Sequence, residues 1–225
     1  MNAQSMLEFV RGPMFYGALL FFIGGMIYRL ITVVGLGWTK DLAKPRGSKG
    51  AGVVKSFLRG AIIFPFIPRE KEAYARNPVI YLAGGLFHLS LFVVLILGAA
   101  HMLVWKSLLG FGWPTLPLPI VDWMAAVGII AMIALIVNRM VHPVMKLLTG
   151  VAEVLNWLLV FLPMISGYML THHMFLPYEN LFIIHMMSIN ILLIWIPLSR
   201  ISHFMFYFLS RTIHGVEWGK RNVMP

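Results

Sequence analysis

Five long apolar runs constrain the fold of this chain more than any other feature of its sequence. They cover residues 13–36, 78–105, 119–138, 148–170 and 181–207. A helix needs about 20 apolar residues to cross the hydrocarbon core of a bilayer, and a backbone there must satisfy its own hydrogen bonds. The pattern therefore predicts an all-α membrane protein, a bundle of five transmembrane helices that forms a single domain over residues 1–225.

Composition agrees with this class and excludes several kinds of site. Of the 225 residues, 60% are hydrophobic and 12% are charged, whereas a soluble domain carries about 25% charged residues. The chain has no cysteine. It therefore contains no disulfide, thiolate metal site or iron–sulfur cluster of its own, and no haem of the covalently attached c type.

The positions of the basic residues predict how the bundle is oriented. The chain contains 18 Lys and Arg, and all but Arg11 and Lys106 fall on one side of the predicted membrane, half of them in the loop 37–77. Because loops rich in Lys and Arg stay in the cytoplasm, we expect the N-terminus outside and the 37–77 loop and C-terminus inside. The net charge of +10 is then explained by topology, without a nucleic-acid partner.

Histidines within the apolar runs are the candidate functional residues. His88 and His101 lie on the second run, and His185 and His203 lie on the fifth. A histidine inside hydrocarbon is costly and indicates function, although a histidine that hydrogen-bonds a neighbouring helix is the alternative. His185 and His203 are 18 residues apart, which is about five turns and about 27 Å along one face of a continuous helix.

Because the two spans run in opposite directions, each histidine of one span has a counterpart at a similar depth in the membrane on the other. With the N-terminus outside, the second span runs outward and the fifth runs inward. His88 is then paired with His203 on the cytoplasmic side, and His101 with His185 on the outer side. Two neutral imidazoles from facing helices are the ligands of a six-coordinate haem b. The sequence therefore predicts two haems at two depths, which would carry electrons across the membrane.

Three further residues fit this hypothesis. Gly84 and Gly85, one turn before His88, lack side chains where a porphyrin would approach the helix. Arg200, close to His203, could pair with a haem propionate. A positively charged flank of the span is an equally good explanation of Arg200.

The residues around two of the histidines resemble a known family. "LFHLS" around His88, and "PLSRISHF" around His203 with a histidine 18 residues upstream, resemble the gamma subunit of respiratory nitrate reductase. That subunit is a five-span di-haem cytochrome b with its N-terminus outside. The same fold occurs in small membrane subunits of other redox complexes, including the high-molecular-weight cytochrome and sulfite-reductase-linked complexes of sulfate reducers.

This resemblance implies an electron-transfer subunit of an oxidoreductase complex in the inner membrane of a bacterium or archaeon, used in anaerobic respiration. Electrons would pass between a quinone pool, or an external multihaem cytochrome c, and an iron–sulfur subunit on the cytoplasmic side. Other membrane subunits are further expected partners. Asp122, with His172 and His173, forms a candidate proton-accepting cluster for a quinone, and solvated loop residues are the alternative interpretation.

One spacing departs from the family. Its second helix separates the two histidines by ten residues, and the residue ten positions after His88 is Gly98, which cannot bind iron. His101 is 13 residues from His88, a spacing that rotates a regular helix by about 140° away from the starting face. Either a locally widened helix brings His101 to the haem, or His172 or His173 supplies the ligand.

A non-redox function is the alternative for the whole chain. A transporter of this size is expected to show broken helices or repeated halves, and neither is evident in the sequence. A membrane anchor for a soluble partner explains the spans but gives the four histidines within them no purpose.

Overall fold

The computed structural model describes residues 3–37, 43–60 and 72–223. Within these ranges every regular element is a helix. Three basic residues of the predicted cytoplasmic loop, Lys40, Arg69 and Lys71, lie outside the described residues.

Bounds are defined within the described residues for eleven α-helices, one π-helix and one 3-10 helix. In chain order they are α1 (Ala3–Arg11), α2 (Pro13–Gly35), α3 (Lys49–Leu58), α4 (Glu72–Arg76), α5 (Pro78–Phe92), the π-helix (Val93–Leu97), α6 (Ala99–Leu109), α7 (Leu118–Val141), α8 (Pro143–Leu147), α9 (Val151–Thr171), α10 (Tyr178–Leu198), the 3-10 helix (Arg200–Ser202) and α11 (His203–Arg221).

Five of these segments are long and apolar enough to cross a membrane: Ala3–Gly35, Pro78–Leu97, Leu118–Val141, Val151–Thr171 and Tyr178–Leu198. The prediction of an all-α, multi-pass membrane protein with five spans is confirmed at this level. The first helical segment begins earlier than the predicted run, because α1 precedes α2 and only Gly12 separates them.

Short polar and glycine signals set where helices begin and end. α5 begins after Asn77, whose side chain accepts a hydrogen bond from the Ile80 amide at 3.2 Å, and Pro78 occupies its first turn. α6 ends at Gly110, which has a φ of 81°, a left-handed conformation that glycine adopts without steric cost. Glu153, in the first turn of α9, caps the start of that helix by accepting a hydrogen bond from the Gly150 amide at 3.0 Å.

The chain forms two compact units. The first comprises Met1–Ala18 and Arg76–Leu192, and the second comprises Leu19–Ala75 and Leu193–Pro225. His88, His101 and His185 therefore belong to the first unit and His203 to the second.

Small residues and side-chain hydrogen bonds hold the first unit together. Ser90 on α5 donates to the Met124 carbonyl of α7, and a Cβ built on Gly128 of α7 would lie 2.5 Å from the terminal methyl of Met164 on α9. Trp157 of α9 donates to the Met132 carbonyl of α7 at 2.7 Å. Such close helix contacts through small residues and polar bonds are typical of packing inside a membrane.

The second unit is built around α3 and α11. A Cβ on Gly52 of α3 would lie 2.6 Å from the Cα of Gly219 on α11, so only glycine permits this approach. The amide of Arg46 donates to the Lys220 carbonyl at 2.7 Å. Phe57 of α3 also stacks against Phe208 of α11, with ring centroids 6.2 Å apart.

The fifth apolar run is not one continuous helix. α10 ends at Leu198, Ser199 is extended with φ −125° and ψ 178°, and His203 is the first residue of α11. Pro197 has no amide proton for the preceding turn, which weakens the helix at this point. The prediction that His185 and His203 project from one face of a five-turn helix was therefore wrong.

The second apolar run is also interrupted, at the place where the histidine spacing is unusual. α5 passes into the π-helix Val93–Leu97, and Gly98 is then extended with φ −75° and ψ 131° before α6 begins. The predicted continuous span 78–105 is thus divided into two helices. The locally widened helix that the sequence required for His101 is present between His88 and His101.

Candidate functional site

His101 and His185 lie beside each other in the first unit. Their ring centroids are 6.3 Å apart and the ring planes are inclined by 61°. His101 is in the first turn of α6, after the break at Gly98, and His185 is in the middle of α10. The structure therefore brings together the two histidines that the sequence paired at the outer depth.

A serine of the neighbouring helix fixes the tautomer of His185. Ser166 of α9 lies with its Oγ 3.1 Å from His185 Nδ1 and donates its own proton to the Leu162 carbonyl at 2.7 Å. Because that proton is already donated, Ser166 accepts from Nδ1–H, and the lone pair of the neutral ring is on Nε2. Nε2 is then the nitrogen of His185 that is suited to bind a metal.

Glycine makes room for the His185 ring. A Cβ on Gly167, the residue after Ser166, would lie 2.9 Å from His185 Cε1 and 3.3 Å from Nδ1. Both distances are shorter than ordinary van der Waals contacts, so any larger residue at position 167 would displace the imidazole.

The π-helix orients His101. The imidazole of His101 hydrogen-bonds the backbone of Val94, which also accepts the Gly98 amide at 3.2 Å. A ring N–H donated to a carbonyl leaves the lone pair on the other nitrogen. The widened turn thus fixes the orientation of the ring as well as its position.

The predicted cytoplasmic-side ligands show the same local arrangement, each in its own unit. His88 Nδ1 is 2.7 Å from the Gly84 carbonyl, and His203 Nδ1 is 3.0 Å from the Arg200 carbonyl. Carbonyls only accept, so both rings donate from Nδ1 and have the lone pair on Nε2. The pairing of His88 with His203 remains a prediction.

The glycines near His88 border open space. A Cβ built on Gly84 or on Gly85 would meet nothing within 4 Å, apart from the helix's own backbone. This agrees with their predicted role of leaving room for a flat group. Arg200 is exposed in the 3-10 helix, and its backbone carbonyl accepts from His203.

The candidate histidines are compatible with a haem. Within the described residues there is no group of three or more His, Cys, Asp or Glu that could hold a metal ion. A six-coordinate haem needs only two axial ligands from the protein, because the porphyrin supplies the other four. Four histidines whose hydrogen bonds favour one lone-pair nitrogen each meet that requirement.

Two members of the predicted proton-accepting cluster are close together. His172 Nε2 lies 4.0 Å from Asp122 Oδ2, with side chains 38% and 25% exposed, and Tyr168 packs against His172 at 4.3 Å between ring centroids. His173 has a φ of 52° and packs its ring 5.7 Å from Tyr178. The structure thus brings Asp122 to His172, and places His101 rather than His172 beside His185.

Three residues that hydrogen-bond the chain close to the helix breaks before His101 and His203 were not identified from sequence. Trp105 and Trp113 donate their indole N–H groups to the Leu95 and Ile96 carbonyls, and Arg29 donates to the Ser199 carbonyl. A signal for the tryptophans exists, since both lie close to a glycine- and proline-rich loop that follows an apolar helix. Which carbonyls they reach depends on the π-helix, which periodicity alone does not reveal.

Comparison with known proteins finds one relative over nearly the whole length. The chain is similar to a protein of Nitratidesulfovibrio vulgaris strain Hildenborough described as "Protein", with 26% identity over 217 residues, or 95% of this chain and 93% of the relative. No family model matches the chain, and no solved structure matches it.

Proposed function

We propose that this chain is a haem b-binding membrane subunit that carries electrons across the bilayer within an oxidoreductase complex. His101 and His185 would hold one haem through their ring nitrogens, and His88 and His203 would hold the second. A bound haem would supply reversible one-electron transfer. The chain's own residues would hold the ligating nitrogens in place.

The spacing of His101 and His185 is the observation that carries this proposal. Two imidazoles on opposite sides of one iron hold their ring centres about 6 Å apart, since each metal–nitrogen bond is about 2 Å and the ring centre lies about 1 Å beyond. The observed separation of the ring centroids is 6.3 Å. Ser166 and the glycine at 167 further fit a ring that is held in one orientation.

The orientation and partners of the subunit are proposed from its sequence. The basic loops favour the N-terminus outside and the C-terminus in the cytoplasm. Electrons would pass between a quinone pool or an external multihaem cytochrome c and a cytoplasmic-side iron–sulfur subunit. If a quinone binds near the outer haem, the Asp122–His172 pair, with its 4.0 Å separation, is the group proposed to take up its protons.

A reduced-minus-oxidised optical spectrum with a haem-to-protein ratio tests the proposal directly. We expect two low-spin, bis-histidine haems b per chain. Purified protein with a full complement of correctly folded helices and no haem band would contradict it, and would favour a non-redox membrane anchor or a transporter, whose expected broken helices are present at Gly98 and Ser199.

Orientation has a separate test that uses the absence of native cysteine. Lys49→Cys and Pro114→Cys proteins in sealed vesicles should react with a membrane-impermeant thiol reagent from opposite sides. Labelling of both from the same side would contradict the proposed topology and the assignment of the two haems to opposite depths.

A further inference from the structure

The break between α5 and α6 leaves a run of backbone carbonyls without the helical partners that a continuous helix would provide. Gly98 is extended, so the chain turns away before the next amides can reach the carbonyls of Leu95, Ile96 and Leu97. Such carbonyls are costly in a membrane, where water does not replace the lost bonds.

Donors from the segment that follows the break satisfy these carbonyls one by one. The indole of Trp105 donates to Leu95 at 2.9 Å, the indole of Trp113 donates to Ile96 at 2.7 Å, and the Leu116 amide donates to Leu97 at 2.9 Å. Two of the three donors are tryptophan side chains, and the third is backbone.

The same run of carbonyls includes the partner of the His101 ring. Val94 precedes Leu95 and hydrogen-bonds the imidazole of His101. The Val94 carbonyl also accepts the Gly98 amide in the ordinary helical pattern, and the carbonyls of residues 95 to 97 that follow it are occupied, in sequence, by Trp105, Trp113 and Leu116. The orientation of His101 and the two indole bonds belong to one hydrogen-bonded arrangement.

We infer that Trp105 and Trp113 are positioning residues for the axial ligand His101. The inference rests on the proposed function, since it assigns them an effect on a haem. By holding the carbonyls of the widened turn, they fix where α6 begins and therefore the plane of the His101 ring relative to that of His185. The relative orientation of two axial imidazoles sets the spectrum of a low-spin haem and contributes to its reduction potential.

The test removes one N–H group at a time. Trp113→Phe and Trp105→Phe each delete an indole donor, and a variant with the sulfur isostere 3-benzothienylalanine at position 113 keeps both rings while losing only the N–H. Trp157→Phe is the matched control, because Trp157 also donates its indole to a helix carbonyl in the same unit, that of Met132 at 2.7 Å, away from the His101 turn.

Low-temperature electron paramagnetic resonance and redox titration measure the outcome. We expect the signal of the His101–His185 haem to shift and its potential to change in all three variants at positions 105 and 113, while the other haem keeps its native signal. Trp157→Phe should leave both haem signals unchanged. Native signals in the benzothienylalanine protein, or an equal shift in Trp157→Phe, would overturn the inference.

Hydrogen exchange separates this inference from the proposed function. In the variants at positions 105 and 113, but not in Trp157→Phe, the amides of residues 98–107 and of Leu116 should exchange faster, with or without haem. If native protein contains no haem, the proposed function fails. Exchange that is as slow in these variants as in native protein would then overturn the positioning role itself.

Discussion

Two helix interruptions in this protein each precede a candidate ligand, and they are held in different ways. In the first unit the helix is interrupted at Gly98, three residues before His101. The carbonyls that precede the break accept hydrogen bonds from two indoles and one amide. In the second unit the helix is interrupted at Ser199, four residues before His203. There the guanidinium of Arg29 donates to the Ser199 carbonyl at 2.8 Å and to the Ser202 hydroxyl.

This difference determines how each site should respond to substitution. Hydrogen bonds from a charged donor are roughly twice as strong as bonds between neutral groups, and in the second unit one side chain makes both of them. The first unit distributes the same task over three neutral donors, Trp105 of α6 and Trp113 and Leu116 of the loop that follows it. We therefore expect the position of His203 to depend on a single residue, and that of His101 to shift, without loss of the site, when any one partner is removed.

The largest expected effect is the loss of a whole haem when a ligand is removed. His185→Ala and His203→Ala should each lower the haem content from two to one per chain, because one axial nitrogen is lost in each. The remaining haem should differ between the two proteins in potential and spectrum. Haem-to-protein ratios and redox titrations measure both quantities.

Variants at other histidines serve as controls for this result. His214 contacts Ser210 and Trp218 in α11, so His214→Ala should retain two haems. His172→Ala should retain them as well, since His172 pairs with Asp122. Loss of a haem in His172→Ala, together with full haem content in His101→Ala, would show that the loop supplies the ligand and that the pairing with His101 is wrong.

Removing Arg29 should have the next largest effect. Arg29→Met keeps most of the aliphatic stem and deletes both bonds, so we expect the free energy of unfolding to fall by about 2–4 kcal/mol. The His203 haem should be lost or weakened first, because its ligand follows this break. Thermal unfolding in detergent and haem titration measure the two effects.

A second arginine provides the comparison for Arg29. Arg139 donates to the Thr149 hydroxyl at 3.3 Å, a single long bond, and Arg139→Met should cost less than Arg29→Met. Arg29→Lys should recover part of the lost stability, since an ammonium can satisfy one of the two acceptors. Equal stability of the Arg29→Met and native proteins would remove the distinction between the two interruptions.

The sequence predicts the spans well and the interruptions poorly. Hydropathy locates five apolar segments because a membrane helix needs a minimum length of apolar residues. It does not locate the break at Ser199, because proline and serine both occur within membrane helices when the backbone groups that they free find another partner. Here that partner is Arg29, which donates to the Ser199 carbonyl and is 170 positions away in the chain.

The candidate site shows the same limit. Depth alone predicts His101 as the partner of His185, whereas a regular helix would turn His101 away. The carbonyls of Leu95 and Ile96 at the end of the π-helix accept from Trp105 and Trp113, which lie beyond it in sequence. The histidine spacing required a widened turn, but the residues that hold it are recognisable only in three dimensions.

A methyl group at position 167 should test how closely the first site is packed. Gly167→Ala would place its Cβ 2.9 Å from His185 Cε1, and we expect a cost of about 1–3 kcal/mol from the displaced ring. The spectrum of the His101–His185 haem should change while the other haem does not. Gly17→Ala is the control, because a Cβ there meets nothing within 4 Å.

The smallest effect is expected at Ser166, and it bears most directly on the comparison of the two sites. His203 Nδ1 bonds a backbone carbonyl, that of Arg200, which no substitution removes, whereas His185 Nδ1 bonds a side chain. Ser166→Ala should therefore act on the His185 site alone. Because the His185 ring also hydrogen-bonds the Pro163 backbone, we expect a loss of about 1 kcal/mol in stability and a fall of at most about tenfold in haem affinity.

Ser188→Ala is the matched variant for this last experiment. Ser188 donates to the backbone carbonyl of His185 at 2.7 Å within α10 and does not hydrogen-bond the ring, so its removal should leave haem affinity unchanged. Haem titration of the two apoproteins compares them under the same conditions. If both lose affinity equally, the serine hydroxyls act through helix stability. If only Ser166→Ala does, the bond to Nδ1 orients the ligand, and the two sites differ in how their histidines are held as well as in how their helices are broken.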